Sequence, residues 1–235
     1  MSALGVVKTC RDEIPKGPTG GMWRRALYDL IDHPGKYASS IFHKSKEGFT
    51  TVYDGFPKST VHLLVLPDRT LKGPQQLTKD GEFGIPFLRR LHGYCDWLVN
   101  ELQKQEHIGK LGFKCGIHAV PSLEPFHVHI ISGDMKSDRI KHKKHWNSFT
   151  TPFFVELNEV ESILQIEGSL RSILARESHL KDDLVCNICG ENFGRFLKFK
   201  EHRVSCRKTK SSAAGQVAVS QNEIELPQTK RQRLC

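Results

Sequence analysis

Apolar positions recur at helical spacing over residues 22–37, where Trp23, Ala26, Leu27, Leu30 and Ile31 fall on one stripe. Pro34-Gly35 closes that first predicted helix. Residues 50–54 and 60–67 carry the apolar and β-branched runs of two strands, and Gly55-Phe56-Pro57-Lys58 forms the turn between them. A second helix is predicted over 83–107, with Phe87, Leu88, Leu91, Tyr94, Cys95, Leu98 and Leu102 on its buried stripe. Residues 113–120 and 126–132 read as two more strands, and a third helix is predicted over 158–176. The order helix, strands, helix, strands predicts one α+β domain ending near residue 155.

Composition narrows the class. Hydrophobic residues make up 38% of 235, which supplies one real core and excludes a wholly disordered chain. No window approaches the roughly 18 consecutive apolar residues of a membrane-spanning helix, so no membrane partner is expected. The N-terminus lacks an apolar stretch after a basic start, so no secretory signal is expected. Seven cysteines argue against a disulfide scaffold and for a reducing compartment. A net charge of +9 points to a polyanionic partner. Residues 1–20, rich in Gly and Pro, are expected to form a flexible leader. Residues 208–235, with few large apolar side chains, are expected to form a disordered basic tail. Its Lys230-Arg-Gln-Arg233 cluster fits a nuclear address, and equally a solvated run of charge.

A cysteine module occupies 181–207, joined to the main domain through a connecting helix over 156–180. It reads Cys186-Asn-Ile-Cys189, twelve residues, then His202-Arg-Val-Ser-Cys206. A Cys-x2-Cys knuckle and a His/Cys pair four residues apart supply four ligands for one tetrahedral zinc, with no open position. Such a zinc is structural. Phe193, Leu197 and Phe199 are expected to form the small core of a ββα-like finger. The basic residues Arg195, Lys198, Lys200, Arg203, Arg207 and Lys208 suit phosphate contact or a solvated helix face.

The other chemical signal is Phe126-His127-Val128-His129-Ile130-Ile131. Alternation puts His127 and His129 on one face of a strand, with Phe126, Val128 and Ile130 on the other. Three readings stand for the pair: metal ligands, core histidines satisfied by backbone, or a nucleophile with its phosphate-binding partner. His118 and Ser122 just upstream, Lys58 and His62 near a strand start, and the run Lys141-His-Lys-Lys-His145 favour the third. Cations and donors of this kind stabilise a transferring phosphoryl group.

His127-Val-His-Ile-Ile131 resembles the end of the histidine-triad (HIT) signature. Gly116-Ile-His-Ala-Val-Pro-Ser122, Lys144-His-Trp-Asn-Ser-Phe149 and Phe56-Pro-Lys-Ser-Thr-Val-His-Leu-Leu-Val-Leu-Pro67 are similar to the aprataxin branch of that superfamily, as is a zinc finger C-terminal to the HIT domain. The resemblance spans about residues 22–206, without the forkhead-associated domain of animal forms, as in shorter fungal ones. It implies a HIT-type antiparallel sheet with flanking helices over 21–155, followed by the zinc finger. It also implies a hydrolase that removes AMP from 5′-adenylated DNA ends through an adenylyl-histidine intermediate.

By the same resemblance, His127 is the nucleophile, His129 contacts phosphate oxygens, and His118 faces and protonates the leaving phosphate. Ser122 holds the phosphate, and Lys58 and His62 line the pocket. Lys144 and His145 contact the lesion or the DNA backbone. Trp23 begins a helix that stacks on the exposed base pair, although a core aromatic is an equal reading. Pro125 stands where the family pattern has its first histidine. Activity is expected to survive, because His118 and a backbone carbonyl can orient His127. One structural zinc, no catalytic metal, nicked or broken duplex DNA, AMP as product, DNA-repair partners and a nuclear setting complete the expectation. Two other classes stay open: a hydrolase of small adenylated substrates, and a non-catalytic nucleic-acid-binding module.

Overall fold

The computed structural model describes residues 4–14, 23–68 and 71–206, with the backbone alone at Trp23. The expected leader lies partly outside this range, and the tail wholly outside it. Six strands form one antiparallel sheet: β1 (Ile41–Lys44), β2 (Phe49–Tyr53), β3 (His62–Pro67), β4 (Phe113–His118), β5 (Val128–Ser132) and β6 (Phe154–Glu156). Their spatial order is β1-β2-β3-β5-β4-β6. Helix α1 (Ala26–Asp32) follows a 3-10 turn at Trp23–Arg25. Helix α2 (Ile85–Gln103) lies between β3 and β4, and α3 (Lys143–Thr150) between β5 and β6. Helix α4 (Leu157–Glu167) and a 3-10 segment (Ser172–Lys181) lead into the C-terminal finger of β7 (Leu184–Val185), β8 (Asn192–Phe193) and α5 (Phe196–Ser205). Among the described residues no helix is long and apolar enough to cross a membrane.

The period-2 alternation of the strands divides the molecule into two faces. On one face Leu63, Val65, Phe126, Val128 and Ile130 pack against the stripe of α2 and against Val160 and Leu164 of α4. Burial of this stripe, at roughly 25 cal/mol per Å² of apolar surface, is the main force holding α2 to the sheet. On the other face Leu64 and Leu66 meet Leu27 and Leu30 of α1. Farther along that face, Ile131 and Phe154 meet Trp146 and Phe149 of α3. The histidines lie on this second face.

Several elements differ from the pattern. The first helix is shorter than 22–37 and begins as a 3-10 turn. Strand β1 was not legible, because it is a short edge strand whose pairing to β2 shifts register between Ile41 and His43. The predicted third helix is two elements. Gly168 takes a left-handed conformation, φ 75°, and caps α4. The apolar spacing continues past it in 3-10 geometry. The basic run at 141–145 leads into α3 and supplies its first turn.

Candidate active site and metal centre

Strand register brings four histidines together. His62 opens β3, His118 closes β4, His129 lies within β5, and His127 immediately precedes that strand. His62 pairs with Ile131, Leu64 with His129, and Gly116 also with His129, which sets His62 and His118 on either side of β5. Gly116 is required by close approach: a Cβ there would lie 2.5 Å from the carbonyl oxygen of Val155 and 2.7 Å from the Phe154 ring.

Hydrogen bonds set the ring tautomers. The backbone N–H of Lys58 donates to Nδ1 of His62 at 3.2 Å, so the proton of that ring sits on Nε2. This Nε2–H donates to Nδ1 of His129 at 2.9 Å. His129 therefore carries its own proton on Nε2, a buried atom without a partner among the described residues. His118 Nε2 is likewise buried and unpartnered. His127 donates its Nδ1–H to the carbonyl oxygen of Pro125 at 2.9 Å, leaving its lone pair on Nε2. The backbone carbonyl expected to orient His127 is thus that of Pro125 itself. His118 packs on His129 instead, with ring centroids 4.3 Å apart.

The cluster is neutral near pH 7. Burial lowers the pKa of every ring, His62 to about 4 and His118 to about 3. Burial also carries His129 well below the ordinary value, and lowers His127 despite its bond to Pro125. A neutral His118 offers a hydrogen bond rather than a labile proton. Burial lowers the Lys58 ammonium too, and its Nζ bonds the Phe56 carbonyl.

Asp54, absent from the expected site, lies with Oδ2 3.5 Å from His62 Nδ1. Burial pushes its carboxyl up, but His62 and Lys58 outweigh that and leave it below the usual range. Its signal was the hairpin register, which sets the Asp54 N–H on the His62 carbonyl. Asp54, His62 and His129 offer three ligand atoms within 4.8 Å of one another. Both nitrogens of His62 are already engaged, however, so a resident metal would have to displace those bonds.

The remaining expected residues differ in their exposure. Ser122 is exposed on the β4–β5 loop. Lys144 is exposed on α3, beside a separate hollow of about 720 Å³ that Lys143 and Lys181 also line. His145 is half-buried, and its Nδ1 accepts the Lys141 N–H at 3.2 Å. Its pKa falls to about 4, first through burial and then through the Lys58 charge. The side chain of Trp23 lies outside the described residues.

In the finger, Cys186, Cys189, His202 and Cys206 offer ligand atoms all within 4.8 Å of one another. Cys189 Sγ is 3.3 Å from His202 Nε2, and Cys186 Sγ is 3.8 Å from Cys206 Sγ. A tetrahedral zinc with ordinary Zn–S and Zn–N bonds gives ligand edges of about 3.5–3.8 Å, close to these. Burial opposes ionisation of Cys186, but the N–H groups of Cys189 and Ile188 hold its thiol down to about 6. The donor set fits zinc with all four positions filled.

The finger is fused to the sheet domain by a shared core of Trp146, Phe199, Leu184 and Cys186. Two expectations change here. Leu197 is 68% exposed and is not part of the finger core. Arg203 is not a free phosphate contact: it donates to Asn187 Oδ1 at 2.7 Å and to the Asp134 carbonyl at 2.6 Å. It also stacks over Trp146 at 4.9 Å. Arg195, Lys198 and Lys200 stay exposed.

Fold and site together define a histidine-triad-type domain joined to a zinc-binding finger. A model described as "Scavenger mRNA decapping enzyme C-term binding" matches residues 27–145, and one for a C2HE/C2H2/C2HC zinc-binding finger matches 150–206. The aprataxin-like protein of Schizosaccharomyces pombe is 32% identical over 203 residues, covering 81% of this chain and 84% of that protein. Zebrafish aprataxin is 30% identical over 187 residues, covering 80% of this chain and 54% of its own. A crystal structure of the aprataxin orthologue Hnt3 in complex with DNA superposes with a TM-score of 0.61 at 30% identity, covering 77% of this chain and 93% of that one. The chain belongs to the aprataxin family. It spans about half the length, or less, of the animal and plant relatives it matches.

Proposed function

We propose that this chain is a DNA-repair hydrolase that removes AMP from 5′-adenylated DNA ends. The observation that carries the reading is the His127 Nδ1–H bond to Pro125, which frees Nε2 as a neutral nucleophile beside two unpartnered imidazole nitrogens. His127 Nε2 attacks the AMP phosphorus. The P–O bond to the DNA phosphate breaks, and the leaving phosphate takes the electron pair. Water then attacks the adenylyl-histidine, releases AMP and restores the ring.

His129, held as its Nε2–H tautomer, donates to a phosphate oxygen. His118 steadies the leaving phosphate by hydrogen bond; phosphate leaves as an anion and needs no proton at neutral pH. The half-buried Lys58 ammonium carries part of the developing charge. His62 fixes the His129 tautomer, and Ser122 reaches the phosphate from its loop. The reading needs no catalytic metal, which the fully engaged His62 ring supports; EDTA should leave initial turnover intact until the structural zinc is slowly lost. The finger's zinc is structural.

Duplex DNA binds through Lys144, His145 and the exposed Lys198 and Lys200, with Trp23 stacking on the exposed base pair. The Hnt3 structure solved with DNA and the basic hollow at Lys143 and Lys144 support this. A nuclear setting and contacts with repair proteins follow from the substrate. The test is AMP release from a nicked duplex with a 5′-adenylated end, with wild type beside His127→Asn. Release by wild type only is expected. No release from folded, zinc-loaded wild type, or release from an AMP-amine substrate instead, would overturn the reading.

A further inference from the structure

Helix α3 serves two parts of the molecule at once. Toward the finger, Trp146 donates its indole N–H to the Val185 carbonyl at 2.9 Å and packs on Phe199 at 4.6 Å. Asn147 Nδ2 reaches the carbonyls of His179, Leu180 and Asp182, the last at 2.8 Å. Three residues after Trp146, Phe149 turns to the histidines. Its ring centroid lies 5.2 Å from His62, 4.7 Å from His118 and 5.2 Å from His129. It meets His62 and His129 edge to face, at 87° and 88°. Trp146, Phe149 and the zinc ligand Cys186 share one buried cluster.

His118 and His129 have buried Nε2 atoms with no hydrogen-bond partner among the described residues, so ring packing has the larger share in aiming them. We propose that Phe149 is a positioning residue, and that α3 is the strut through which the zinc-folded finger fixes the aim of His118 and His129. The inference rests on reading this cluster as the phosphate site. Loss of zinc leaves the cysteines without their shared counter-charge. The small core at Phe199 and Leu184 then opens, and Trp146 loses both its acceptor and its ring partner. The freed α3 shifts Phe149. Zinc occupancy therefore governs the chemical step as well as the grip on DNA.

The experiment uses the full zinc-loaded chain as wild type, Phe149→Leu and Phe149→Ala. It reads zinc content, affinity for an unadenylated nicked duplex, single-turnover AMP release, and histidine ring 1H–15N spectra. In Phe149→Leu, zinc should stay bound and DNA affinity should stay within about twofold, while release slows by about ten- to a hundredfold. The ring signals of His118 and His129 should move, and chelating zinc from wild type should move the same signals while that of His43, held on β1 by the Tyr94 hydroxyl, stays in place. An unchanged rate overturns the proposal, as do unmoved ring signals on chelation or a rate loss matched by an equal loss of DNA affinity. Should Phe149→Ala not fold, Phe149→Leu carries the test. Should wild type release no AMP, the functional reading fails, and the ring spectra under chelation still decide the positioning.

Discussion

The Nδ1–H of His127 donates to the main-chain carbonyl of Pro125 at 2.9 Å. The residue at the first triad position thus acts through its backbone, and the identity of its side chain does not interrupt the bond. The proposed nucleophile is held in one tautomer by a group that cannot titrate.

That bond predicts the pH profile of turnover. An imidazolium cannot attack phosphorus, and burial holds the His127 pKa below 6.5. The profile of kcat/KM should be flat above 6.5 and fall only on the acid side of it. An acid limb centred above 6.5 would show that another group limits the reaction. His127→Asn should reduce release to background at every pH.

The buried rings also predict an acid-labile fold. The folded chain keeps His62 and His118 neutral down to about 4 and about 3, whereas the unfolded chain protonates them near 6.5. The unfolded state therefore binds more protons in this window, and stability falls with pH. Each histidine contributes about 1.4 kcal/mol per pH unit between those limits. Denaturant midpoints should be level above pH 7 and drop steadily from 6.5 toward 4; a level curve would contradict the neutral cluster.

Gly116→Ala should damage fold and site together. The new methyl would meet the Val155 carbonyl and the Phe154 ring, and backbone cannot yield as a flexible side chain does. Overpacking of this kind costs about 1–3 kcal/mol. Thermal unfolding should register the loss, and turnover should fall because Gly116 faces His129 in the ladder.

Two basic residues of α5 should behave oppositely. Arg203→Ala removes the bonds to Asn187 and Asp134 and the stack on Trp146, so the melting temperature should fall, with a loss of about 2 kcal/mol. Lys198→Ala should leave melting unchanged, weaken DNA binding, and reduce the slope of log affinity against log salt by about 1. Equal effects of the two on melting would contradict the docked position of Arg203.

Periodicity and spacing made much of this protein legible. Alternation alone set His127 and His129 on the face opposite Phe126, Val128 and Ile130, because strand geometry has a strict period of two. The stripe of α2 and the four zinc ligands were legible for the same reason: the residues that act together are close in sequence. The division between α4 and the 3-10 segment was not, since apolar spacing runs on through Gly168 and only its left-handed backbone stops the helix.

What the tertiary structure decided is everything that depends on strand register and on packing between distant elements. Nothing local in the sequence sets the Nε2 of His62 against the Nδ1 of His129, 67 positions away. Asp54 joins the site through its hairpin, and Phe149 closes it from a helix that also packs against the finger. Arg203 looked like one of six similar cations until packing gave it fixed partners. Local pattern assigns a residue to a face; only register and long-range burial assign it a neighbour.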